Sequence, residues 1–297
     1  MAAARKLNPD DLINRLDELP TLPTIVHELS QVINDPMSST AEVEKLMAND
    51  QSMTTKVLKL VNSAYYAIPG GVSTLARAIA YLGFDTVHQL VLSASILDAL
   101  STDKKTSFDL NEFWKHSLGV AVAAETIAKF VHHPLPADLF TCGLVHDMGK
   151  VATFTLASDE FLVVVDHANE HKISFAEAEQ VLEYPRHTVI GNKLATKWSL
   201  PSQIQAVAKH HHQADPGLRG GLSGDLNRSV DIVFLANLLT HALKFGNSGH
   251  QKILGAPVEV MERLAINPQG DLKKLLLEIK GGLDRAADFL RVLGGNS

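Results

Sequence analysis

The sequence predicts an all-α protein, a multi-helix bundle in two lobes. Three observations carry that reading. Apolar residues recur every three or four positions along nearly the whole chain, the spacing of one buried helix face. Helix-start chemistry stands in front of several of those runs, as in Asn8-Pro9-Asp10, Ser39-Thr40-Ala41-Glu42 and Ser174-Phe175-Ala176-Glu177. Only Val151–Leu156 and Phe161–Val165 carry the β-branched and aromatic bias of strands, and both are isolated among helical patterns, so they too read as helix.

In chain order, Asn8-Pro9-Asp10 starts a helix through Leu12, Ile13, Leu16 and Leu19, which Pro20 and Pro23 end. A second helix fits Thr24 to Asn34, with Ile25, Leu29, Val32 and Ile33 on its apolar face. The Ser39 capping box opens a third, and Asp50 caps a fourth through Val57, Leu58 and Val61. After a turn at Tyr65–Gly71, Ser73 or Thr74 starts a helix that Gly83 ends. Asp85 to Leu100 makes a long, mostly apolar helix, and Leu82-Gly83-Phe84 through Leu97 is apolar on nearly all sides, which fits a helix buried between lobes. The polar stretch Ser101–Ser107 marks a lobe boundary. Helical patterns follow at Asp109–Val131, Pro136–Gly143, Phe161–Glu170, Ser174–Leu182, His187–Trp198, Pro201–His212 and Arg228–Phe245. Gly217–Gly224 reads as a loop, and Leu272–Ile279 and Leu283–Leu293 as two tail helices joined at Gly281-Gly282. The partition expected is a first lobe over 1–106, a second over 107–250 and a helical tail over 251–297.

Composition narrows the function. At 297 residues and 45% hydrophobic, the chain can bury a large core. Its formal charge of -6, from 27 Lys+Arg against 33 Asp+Glu, argues against an electrostatic nucleic-acid binder. The single Cys142 excludes an intrachain disulfide and a cysteine zinc cage. No apolar run is long enough to span a bilayer and none resembles a secretory signal, so the location expected is cytoplasmic, away from membranes.

The 14 histidines concentrate the chemistry. His116, the doublet His146-Asp147, His187 and His210-His211-His212 fall on otherwise apolar helical segments. Imidazole nitrogens and carboxylate oxygens are the usual donors to zinc, iron and manganese. Glu112 precedes His116 by four residues and shares its helical face, which makes a two-ligand arm. Cys142 reads as a small buried thiol, since no neighbouring base marks it as a nucleophile.

The segment His146-Asp147-Met148-Gly149-Lys150 resembles the HD superfamily signature, a His-Asp doublet followed by an apolar residue, Gly and Lys. Leu19-Pro20-Thr21-Leu22-Pro23, the run Asp50–Ala64 and Ala78-Ile79-Ala80-Tyr81-Leu82-Gly83 add a likeness to the HDOD family, the HD-related output domains of bacterial signalling proteins. It extends from about Leu19 to Leu243. The resemblance implies an all-helical bundle whose second lobe is HD-like, with a regulatory role and no demonstrated catalysis. It implies Glu112, His116, His146, Asp147, His187, His211 and His212 as metal ligands, with His210 a one-residue alternative in the histidine pair. Lys150 matches a residue that meets phosphate in related phosphodiesterases. Asn237 stands where the superfamily has a last Asp ligand, a neutral and poorer donor, and His241, one helical turn on, could compensate. The Gly-Tyr-Pro motif of cyclic-dinucleotide phosphodiesterases is missing after the histidine pair.

The function expected is therefore a bacterial signal-transduction module acting through contacts with regulatory proteins. Its HD pocket would hold one or two ions of iron, manganese or zinc, without turnover. Two alternatives stand beside it: a metal-dependent phosphohydrolase acting on a small phosphorylated ligand, and an iron-based oxygenase or redox or gas sensor. The apolar stripes of the tail allow a homodimer or a cap on the bundle, and the first lobe, poor in ligands, is assigned to partner contact.

Overall fold

The computed structural model describes residues 8–34, 39–102, 104 and 106–294. Every regular element among them is helical, and none of these helices is long and apolar enough to cross a membrane. Contacts divide the chain into two compact units, Thr21–Ser101 with Lys280–Ser297, and Met1–Pro20 with Thr102–Ile279.

The first of these units contains α2 (Thr24–Asn34), α3 (Thr40–Met47), α4 (Gln51–Val61), α5 (Leu75–Leu82) and α6 (Phe84–Ala99). Ser39 closes a full capping box on α3, and Asp50 and Thr74 cap α4 and α5 through their side chains. Every residue from Val87 to Leu97 is buried, so α6 is the axis of this unit, and α2, α4 and α5 pack on it. Inside it the exposed-to-buried order of α4 places Met53, Val57, Leu60 and Val61 inward, the period of an amphipathic helix.

The second unit holds α1 (Pro9–Arg15), α7 (Leu110–Phe130), α8 (Pro136–Val145), α9 (Met148–Leu156), α10 (Ser158–His171), α11 (Phe175–Val181), α12 (His187–Lys197), α13 (Ser202–His210), α14 (Gly224–Ala242) and α15 (Val258–Arg263). Its core is α7, buried continuously from His116 to Ala124 and flanked by α8 and α14. Gly143 makes the α7–α8 approach possible, since a Cβ there would lie 2.8 Å from the Ala121 Cα. Gly149 does the same for α9 and α12, where a Cβ would fall 1.9 Å from the His187 carbonyl oxygen. The aromatic rings of Phe108, Phe154, Phe161 and Phe175 fill the side of this core next to α9 and α10.

Four expectations change. The partition at residue 106 does not hold for residues 8–20: Lys197 Nζ donates to the Leu16 carbonyl (2.7 Å) and Trp198 Nε1 to the Pro20 carbonyl (3.1 Å), which ties this segment to α12. α14 starts at Gly224 rather than Arg228, because Ser223 accepts from the Leu226 N–H and Asp225 sits at the positive end of the dipole. A short helix, α15, occupies a stretch with no clear periodicity. The tail is one helix, α16 (Asp271–Gly294), running through both glycines. Leu275, Ile279 and Leu283 are four apart, then Ala286 and Phe289 three apart, and all are buried. The two stripes share one phase, so the glycines cost helix propensity without breaking the face. Phe289 meets Tyr65 and Tyr66 with ring centroids 6.0 and 6.4 Å apart, which places the end of α16 in the first unit. The side chains of Ile33, Ala287, Leu290 and Leu293, expected on apolar faces, lie outside the described ones.

Candidate metal centre

The His-Asp doublet occupies the break between α8 and α9 rather than the middle of a helix. His146 closes α8 and turns its Nδ1 back to the Gly143 carbonyl at 2.8 Å. Asp147 precedes α9 and is 1% exposed. The Gly149 contact sets the start of α12 against this turn, and His187 is the first residue of α12. His211 and His212 follow the last turn of α13.

Donor atoms from three of these segments converge, Asp147 before α9, His187 at the start of α12, and His211 and His212 after α13. Asp147 Oδ1 lies 3.2 Å from His187 Nε2 and 3.3 Å from His211 Nε2. His187 Nε2 lies 3.4 Å from His211 Nε2 and 3.1 Å from His212 Nε2. A second set, His116, His146 and Asp147, shares the same carboxylate. His146 Nε2 is 3.3 Å from Asp147 Oδ2.

The tautomers follow from the outer partners. A carbonyl only accepts, so His146 and His211 donate their Nδ1–H groups, the latter to Val207 O at 3.0 Å. His187 places Nδ1 2.8 Å from Glu179 Oε2, while Glu179 Oε1 accepts from the His187 backbone N–H at 2.7 Å. In their neutral forms all three rings then aim an Nε2 lone pair at a carboxylate that also only accepts. His146 Nε2, His116 Nδ1 and Asp147 Oδ1 are buried without a well-formed hydrogen bond. Facing lone pairs in a buried pocket repel, and a cation between them removes the repulsion.

The residues therefore fit a metal ion. Four donors bonded at about 2.0 Å around zinc would lie about 3.3 Å apart; four of the six separations here are 3.1–3.4 Å, and all six lie within 4.8 Å. Burial lowers the pKa of His211 to about 4, so it stays unprotonated at neutral pH, and desolvation with the neighbouring His211 and His187 lowers that of His212. Desolvation also pulls His187 down, but Glu179 and Asp147 overcome it and the net shift is upward. Asp147 is held well below the usual carboxylate range: desolvation raises it, and the largest opposing cause is the Lys150 ammonium 2.7 Å away.

Not every expected residue takes part. Glu112 turns away to Lys115 (3.1 Å) with 42% of its side chain exposed, because it sits in the first, solvent-facing turn of α7. It shares a helical face with His116 but stands outside the cluster. His210 faces the Gln213 Oε1 at 2.6 Å, which leaves His211 and His212 as the converging pair. Lys150 is 1% exposed and its ammonium is committed: 2.7 Å to Asp147 Oδ2, 3.1 Å to the Ser248 carbonyl and 4.7 Å over the Phe175 ring. Asn237 meets His116, Oδ1 to Nε2 3.0 Å. The His241 ring lies 4.4 Å from that of His116, beside rather than within either donor set.

Sequence reasoning missed Glu179, Ser248 and His250. Glu179 had a signal: with Phe175 and Ala178 it lies on the buried face of α11, where an unpaired acid would be costly. His250 had none. It stands in an irregular segment, buried, its ring 4.4 Å from His241 and its pKa lowered to about 2 by burial and by His241.

Comparison with known proteins agrees with this architecture. A family model described as the HDOD domain matches residues 19–214. The crystal structure of an HDOD domain protein of unknown function from Geobacter sulfurreducens superposes with a TM-score of 0.77 at 26% identity, covering 96% of this chain and 99% of that one. A Marinobacter aquaeolei VT8 protein, provisionally assigned to signal transduction, gives 0.70 at 19% identity over 99% of this chain and 62% of that one, which shows a common fold. An uncharacterised protein of Treponema pallidum is 27% identical over 203 residues, 68% of this chain. The chain spans only 39% of the length of that relative. A match over well more than half of the residues, laid on an all-helical fold with the His-Asp doublet at its buried turn, makes this chain a member of the HDOD family.

Proposed function

We propose that this chain is a signal-transduction module whose HD pocket holds a divalent transition ion as a structural or regulatory part, and whose output passes through contacts with regulatory proteins. The observation that carries the reading is the set of four converging donors, Asp147, His187, His211 and His212. Zinc, iron or manganese would bind there and supply a positive charge that joins the α9, α12 and α13 segments. Four protein donors leave little coordination for a substrate water, which separates closed structural sites from catalytic ones. Two further features point the same way. Lys150 has its protons committed to Asp147 and Ser248. Asn237 supplies no charge to the second donor set, whose only anion is the shared Asp147.

The test is elemental analysis of protein purified from metal-replete culture, with a phosphodiesterase screen in added manganese or iron. The expected result is close to one ion per chain, abolished by His187→Ala, with no turnover. Absence of any ion would remove the reading. Two ions with hydrolysis would establish the phosphohydrolase, and a spectral response to oxygen the sensor.

A further inference from the structure

The residue after His212 is held from outside the pocket. Arg219 is the largest fully buried side chain among the described residues. Its Nε and Nη2 donate to the Gln213 carbonyl at 3.0 and 2.6 Å, Nη1 to the Asn227 carbonyl at 3.1 Å, and Nη2 to Asp231 Oδ1 at 2.6 Å. Asp231 in turn accepts from Arg263, at 2.7 Å on Oδ2 and 2.9 Å on Oδ1. Arg263 Nη2 also donates to the Ala214 carbonyl at 2.7 Å. Two guanidinium groups and one carboxylate thus clamp the peptides of Gln213 and Ala214.

His211 has its own anchor, the Nδ1 bond to Val207 O inside α13. His212 has none: among the described residues the one hydrogen-bond-range polar contact of its ring is His187 Nε2. It lies past the helix end, where the chain path alone sets the ring. We propose that Arg219 is a positioning residue for the metal site. Its fork, completed by Asp231 and Arg263, holds the chain that follows His212 and so brings the fourth donor into the cage. The proposal rests on the metal reading above. It also assigns a role to residues past Ala214, where the family match ends. A lysine cannot replace this fork, since one ammonium does not reach two carbonyls and a carboxylate in a plane.

The experiment is a cobalt(II) titration of full-length, metal-stripped protein, read by affinity and by the visible spectrum, for wild type, Arg219→Lys, His212→Ala and the double variant. If Arg219 acts through His212, each single change weakens binding by roughly 10–100-fold and the double is no worse than either alone. The cobalt spectrum of Arg219→Lys then matches that of His212→Ala. Additive losses, or a folded Arg219→Lys with wild-type affinity and spectrum, overturn the assignment and leave the metal reading standing. Wild type that takes up no cobalt overturns both. Should Arg219→Lys fail to fold by circular dichroism, Arg263→Gln carries the same test, because that side chain is one-third exposed. It is expected to shift affinity in the same direction, again non-additively with His212→Ala.

Discussion

A buried imidazole without a strong anion beside it prefers to be neutral, and His88 is such a residue. It is 8% exposed, with Ser30 Oγ 3.2 Å from its Nε2. Desolvation lowers its pKa below 6.5 more than Asp85 raises it. The folded state then binds this proton less readily than the unfolded chain, so its contribution to stability falls as pH drops below 6.5 and levels off below the folded pKa. Urea unfolding at about pH 7.5 and about pH 5 should show a smaller acid loss for His88→Gln than for wild type; an equal loss counts against this account. Glu112 and Glu179 show what residue-level reading can and cannot reach. The i, i+4 spacing from Glu112 to His116 is real, yet the first turn of α7 faces solvent. Glu179 lies eight residues before His187 in sequence, and only the turn between α11 and α12 brings its carboxylate under the ring.

At the scale of elements, the α9–α12 approach places His187 against Asp147. Gly149→Ala would put a methyl group into the His187 carbonyl (1.9 Å) and the Gly191 nitrogen (2.6 Å). Backbone cannot give as a flexible side chain can, so the expected cost is about 1–3 kcal/mol or more, with loss of metal uptake. Denaturant unfolding and a zinc titration of the variant check both; wild-type values for either would remove Gly149 from this role. Helix existence was legible because caps and apolar period agree, as at Ser39, Asp50 and Ser174. Boundaries were less so. Gly224 and the pair Gly281-Gly282 read locally as breaks, but a cap at Ser223 and a continuous buried stripe along α16 override the propensity of single glycines.

For the whole molecule, an ion held as proposed by three segments that are distant in sequence would stabilise the native state and not the unfolded chain. At free zinc a hundredfold above its Kd the gain is about 2.7 kcal/mol. Chelation should therefore lower the thermal midpoint of wild type and leave His187→Ala unmoved. Equal shifts in both would place the ion elsewhere.

Period, caps and donor types are local properties, and the sequence by itself determined them: an all-helical chain, the helices of the first unit, and a set of histidine and carboxylate donors between residues 116 and 212. Convergence is not local. Which donors meet, that Lys150 turns inward to Asp147 and Ser248, that Glu112 is left out, and that Arg219 braces the chain beyond His212 were decided only by the packing of α7, α9, α12 and α14. The physical reason is that a side chain's partner is set by where distant backbones come to rest, and close contacts such as that at Gly149 fix those positions to fractions of a helical turn.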